Sequence, residues 1–130
     1  MNLDFLFALA EIYEWEIQSH VAFQTVTGRA LYFGIVRAHL NGHQIDRTSL
    51  KQLVGSDIAT ERGVRLRMRE FEKLGLVFIE LNTVDKRTKR VLPTEQFVAL
   101  MNAHASQAML IFQRRFFIIQ NTTPTSSEQS

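Results

Sequence analysis

Between Leu3 and His20 the apolar positions are too dense for one stripe. Leu3, Phe7, Ala10, Glu14 and Ile17 mark one side of a helix, and Phe5, Leu9, Ile12 and Trp15 widen the apolar sector around it. A helix this apolar asks for burial on more than one side, which implies a partner chain. Helical spacing resumes from Thr27 to Leu40, with Leu31, Ile35, Val36 and Ala38 as buried candidates, and stops at Asn41-Gly42. Asp46 is placed to cap a helix over Arg47–Val54, with Ile45 and Leu50 at the two positions of a hydrophobic staple and Gly55 at its end. After a turn at Ser56–Ala59, Thr60 caps a further helix, Glu61–Leu74, closed by Gly75. The period then changes: Leu76–Ile79 is a continuous apolar run suited to a strand, Asn82–Lys89 is polar turn, and Arg90-Val91-Leu92 returns. Pro93 is expected to end the pairing, and Thr94 to cap a long helix from Glu95 to about Gln120. Asn121–Ser130, rich in Ser and Thr, has too little apolar surface to stay ordered.

These elements predict a mainly α fold with a small β-hairpin. The 130 residues fit one domain. Residues 1–40 and 95–120 are read as helical scaffold and dimerisation arms, 45–94 as a central lobe, and 121–130 as a tail. Within that lobe, a helix followed by strand, turn and strand is the order of a winged helix-turn-helix. Such a unit sets its second helix into a DNA groove and reaches the neighbouring backbone with its hairpin.

Charge sharpens this picture. The net charge is only +2, but residues 47–90 hold eleven Lys/Arg against six Asp/Glu, while the rest of the chain is net acidic. A basic middle between acidic ends suits one surface turned towards a polyanion. At about 100° per residue, Arg62, Arg65, Arg69 and Lys73 fall within roughly 80° of one another, opposite Val64, Met68 and Phe71. Four cations on one side repel one another unless something negative faces them; the plainer reading is a solvated helix face. Gly63, near the helix start, would let a phosphate approach free backbone amides, and Leu66 projects towards the basic stripe. Lys86, Arg87, Lys89 and Arg90 crowd the turn that follows, placed to lie along phosphates or enter a minor groove.

The segment from Ile45 to Thr94 resembles the winged helix of the MarR family of bacterial transcription regulators. Asp85-x-Arg87 followed by Thr94-Glu95 stands at the spacing of that family's wing and next helix, and Phe71-Glu72-Lys73-Leu74-Gly75-Leu76-Val77 is similar to its recognition-helix exit. The resemblance covers about 50 residues of the 130. It implies a homodimer with interlocked first and last helices, double-stranded DNA as partner, and recognition helices in successive major grooves. It implies Arg87 as the minor-groove arginine and Asp85 as the residue orienting the wing, through an arginine such as Arg67. The turn before Thr60 is longer than the family pattern, which leaves open a helix start near Ser56 or Asp57. Thr60, Arg62, Arg65, Arg69, Lys73, Lys86, Arg87, Lys89 and Arg90 form the expected DNA-binding set, with Asp85 as the wing-orienting residue. Family members often bind lipophilic effectors between arms and lobe, where Tyr13, Trp15, Phe23, Tyr32, Phe33 and His39 stand here. Aromatic residues at helical spacing are more often core, so no effector or cofactor is assigned.

Other function classes fit less well. Without cysteine there is no disulfide or thiolate chemistry. The four histidines are scattered without metal-ligand spacing, and no phosphate loop or nucleophile elbow occurs, so neither catalysis nor a metal is expected. No apolar run approaches the roughly 20 residues of a membrane span, and no basic leader precedes the first helix, so a cytoplasmic protein is expected. Two alternatives stay open: a winged-helix module that binds protein, and a plasmid or phage replication or partition factor.

Overall fold

The computed structural model describes residues 3–46, 50–55, 59–81 and 89–121, with side chains as far as Phe116. Helix α1 (Leu3–Ser19) buries Ala8, Ile12 and Glu16, which stack at four-residue steps along one face. The side expected from the sequence is not the buried one: Leu3 and Phe7 are 61% and 56% exposed. On a helix apolar nearly all round, periodicity cannot choose a face. Here the choice follows the contact with the last helix, where Ala8 and Ile12 meet Ala108, Ile111 and Phe112.

A 3-10 turn at Val21–Phe23, not foreseen from the sequence, redirects the chain. His20 caps it by accepting the Ala22 N–H on Nδ1 at 3.0 Å. Helix α2 (Val26–Leu40) starts at Thr25, whose hydroxyl accepts the Gly28 N–H at 2.9 Å. It runs through the centre of the molecule, with Leu31, Tyr32 and Ile35 almost fully buried.

Strand β1 (Ile45–Asp46) is two residues long. Asp46, assigned from the sequence to a helix cap, stands opposite Arg90 in the sheet. Residues 47–49, the expected first turn of the next helix, lie outside the described residues. Helix α3 (Leu50–Val54) packs against α2 at Gly34, where an added Cβ would sit 3.0 Å from both the Cβ and the carbonyl oxygen of Leu53. Glycine sets that approach.

Helix α4 (Glu61–Lys73) begins where Thr60 accepts the Gly63 N–H at 3.1 Å, and buries Val64, Met68 and Phe71. Gly75, at a φ of +76°, reverses the chain into β2 (Val77–Leu81). Strand β3 (Lys89–Pro93) pairs antiparallel with β2 and with β1, giving the order β1-β3-β2. Pairing ends at Pro93, which is itself paired: it is the last residue of β3, opposite Val77, where the missing N–H is tolerated. Thr94 then joins sheet to helix: its hydroxyl donates to the Leu76 carbonyl at 3.0 Å and accepts the Phe97 N–H at 3.2 Å. Helix α5 (Glu95–Asn121) runs from there back along α1.

The chain is therefore mainly helical, with a small three-stranded antiparallel sheet. One core joins α2, α3, α4, the sheet and the start of α5 through Leu31, Ile35, Leu50, Met68, Phe71, Val91 and Phe97. A smaller cluster lies between α1 and α5. The expected tail from residue 122 falls outside the described residues. Among the described residues no helix is long and apolar enough to cross a membrane.

Candidate nucleic-acid interface

Helix α4 divides by the chemistry of its sides. Val64, Met68 and Phe71 are 1%, 2% and 0% exposed, while Arg62, Arg65, Arg69 and Lys73 are all exposed on the other side. Most of that charge is uncompensated. Arg65 has Glu61 one turn away at 3.9 Å, a loose surface contact worth little in water. Arg62, Arg69 and Lys73 form no ion pair with another described residue. Arg67 sits apart, half-buried, with Glu70 at 3.0 Å.

The sheet brings one further cation to this helix. Directly opposite residues in an antiparallel pair share a face, so Val77, Ile79, Leu81, Lys89 and Val91 lie on one side and Phe78, Glu80, Arg90 and Leu92 on the other. The face carrying Lys89 looks towards α4. Arg65, Met68, Arg69 and Glu72 of the helix, with Ile79, Glu80, Leu81 and Lys89 of the strands, line one open cleft of about 330 Å³. Three cations from two elements thus border a single groove; Glu72 is its acidic side chain, since strand alternation turns the Glu80 side chain with Arg90 to the far side of the sheet.

Arg90 does not belong to this groove. Strand alternation turns it to the far side of the sheet, where it pairs with Glu80, and its buried Nε has no partner among the described residues. There it borders a shallow cavity of about 140 Å³ with His39 and His43. By sequence Lys86, Arg87, Lys89 and Arg90 form one basic cluster, with the return strand starting at Arg90; the strand begins at Lys89, and its alternation separates Lys89 from Arg90. Thr60 is engaged as the α4 cap, and the Gly63 N–H it accepts is not free for a phosphate. Asp85, Lys86 and Arg87 lie in the segment between β2 and β3, outside the described residues, as does any helical start at Ser56 or Asp57.

No protein-family model matches this chain, and no curated protein matches it.

The arms meet the central helix at a buried polar cluster absent from the sequence reading. Glu16 of α1 is 1% exposed and accepts Arg29 Nε and His104 Nε2, each at 2.8 Å. On the other ring edge, Tyr32 Oη lies 2.9 Å from His104 Nδ1. A neutral imidazole protonated on Nε2 satisfies both contacts, with the tyrosine hydroxyl donating. Burial pushes the Glu16 carboxyl up, but the hydrogen bonds from His104 and Arg29 outweigh it and hold the carboxyl below its ordinary range. Burial, with the Glu16 charge adding, pushes the Tyr32 phenol up. The signal available was Glu16 in phase with Ala8 and Ile12, on a line otherwise apolar.

Outside this cluster, α1, α2 and α5 border an open apolar cleft of about 630 Å³. Of the six side chains expected in a cleft between arms and lobe, Tyr13 and Phe33 line it. Phe23 and Tyr32 belong to the core, Trp15 stacks on His104, and His39 is exposed at the far end of α2. The outer faces of both arms are apolar and uncovered, with Leu6 at 61%, Phe7 at 56%, Met109 at 59% and Leu110 at 46% exposure. Among the described residues no group of three His, Asp or Glu side chains converges as a metal site.

Proposed function

We propose that this chain is a dimeric, sequence-specific DNA-binding transcription regulator of the winged helix-turn-helix kind, as its resemblance to the MarR family implies. The observation that carries the reading is the groove shared by Arg65 and Arg69 of α4 and Lys89 of β3. A solvated helix face accounts for charge on α4 alone. It gives no reason for a strand cation to face the same groove.

A helix with side chains is about 10–12 Å across, and the major groove of B-DNA is about 12 Å wide. Helix α4 is 13 residues long, its exposed side cationic and its buried side anchored in the core. Lodged in a major groove, it would direct Arg62, Arg69 and Lys73 at base edges and phosphates. Arg65 and Lys89 would bracket the strand running between helix and sheet. The 82–88 segment, with Lys86 and Arg87, would continue along the backbone.

The uncovered apolar faces of α1 and α5 support the dimer. Contiguous apolar surface of this kind marks an interaction site, and a second copy offers the same faces in two-fold symmetry. Two recognition helices then demand a two-fold site. The test is selection of bound sequences from a random duplex pool at low salt. The expected result is an inverted repeat with half-sites about one helical turn apart. Failure to enrich any duplex would overturn the reading and favour a protein-binding module.

A further inference from the structure

Leu66 is the feature of α4 that a purely electrostatic interface leaves unexplained. It is 51% exposed and lies about 140–160° round the helix from Val64, Met68 and Phe71, at one edge of the cationic stripe. Arg62 stands one turn before it and Arg69 one turn after. On the side away from these arginines stand Glu70, one turn after it and paired with Arg67, and a gap. Gly63, three residues earlier, has no side chain, and a Cβ built there would meet only Thr60 Oγ1, at 3.3 Å. The helix therefore offers an apolar knob beside a gap, flanked by guanidinium groups.

Single exposed leucines are common and need no explanation of their own. This one occupies the position that would go deepest into a groove. Phosphates and sugars offer it nothing. In the major groove the apolar group on a base edge is the C5 methyl of thymine, which cytosine lacks. Arginine at the flanking positions suits the O6 and N7 acceptors of guanine.

We infer that Leu66 is a specificity-determining residue that packs on a thymine methyl, selecting thymine over cytosine at one position of each half-site. This inference rests on the DNA-binding reading above. Neighbours three or four apart on a helix are about 5–6 Å from one another, and base pairs stack at about 3.4 Å. The thymine therefore lies within about two base pairs of a guanine read by Arg62 or Arg69.

The test replaces thymines of a selected duplex with uracil, one symmetric pair at a time, and measures affinity for the wild type and for Leu66→Ala. Uracil keeps every hydrogen-bonding group and removes only the methyl. For the wild type, uracil at one position should weaken binding by roughly fourfold per half-site, the worth of one buried methylene-sized group. The penalty should vanish in Leu66→Ala, whose circular dichroism and salt dependence stay those of the wild type. 5-Methylcytosine should bind better than cytosine at that position, again only with Leu66 present. A wild type that tolerates uracil everywhere, or a variant that keeps the penalty, overturns the assignment while leaving the DNA-binding reading intact. A chain that selects no duplex overturns both.

Discussion

His20 holds the turn between α1 and α2 with a lone pair, and that makes it vulnerable to acid. Its Nδ1 must be unprotonated to accept the Ala22 N–H, and burial lowers its pKa from 6.5. Between the folded and unfolded values the unfolded chain binds more protons. The stability it contributes is therefore full above about pH 6.5 and lost as pH falls through the lowered value. Glu16 follows the same sign further down, its contribution being full above about pH 4.5 and lost through its own lowered value. Thermal melts should show a midpoint falling from near pH 6.5 downward. In His20→Asn, whose side-chain oxygen can still cap, the upper part of that fall should flatten. An equally steep fall in the variant would contradict the assignment. Neither residue's role was legible in the sequence. A histidine cap looks like a loop histidine, and a buried glutamate looks like a surface one until its partners arrive from two other helices.

At the scale of elements, the sequence was clearest where one local rule decided the outcome. Thr60 and Gly75 bound α4 as capping and left-handed geometry require, and the apolar run after Gly75 is a strand. Strand β1 escaped notice because two residues carry no period, and its partner β3 lies over forty positions away. On α1 the pattern was present but ambiguous, since nearly every side was apolar. The division of Lys89 from Arg90 depended on where the strand begins, which no charge pattern reveals. That division makes a prediction. Charge reversal at Arg65, which is exposed and has only a loose pairing, should abolish duplex binding while leaving the helical signal unchanged. Arg90→Gln, on the far side of the sheet, should leave affinity within about twofold, or about 0.4 kcal/mol, since it removes no cation from the groove. Equal losses in both variants, measured by fluorescence anisotropy, would mean that the sheet face does not sort these cations.

Taken whole, the molecule places a cationic helix and the basic start of β3 side by side, and apolar faces on α1 and α5. The buried Glu16, Arg29, Tyr32 and His104 cluster ties the two regions together. That the chain is mainly helical with a small sheet could be read from apolar period and segment length alone. The groove could be suspected from charge, but only the register of β2 with β3 shows which strand cation shares it. Whether helix and strand cations act on one polyanion is a question of counterion release. For a dimer making about six to ten phosphate contacts, log affinity for duplex DNA should fall linearly with log salt, with a slope of roughly −5 to −9. Neutralising Lys89 should make that slope shallower by about two, one for each copy, and neutralising Arg65 should do the same. A slope near zero, or one that Lys89→Ala leaves unchanged while Arg65→Ala reduces it, would contradict a shared helix-and-strand surface for DNA.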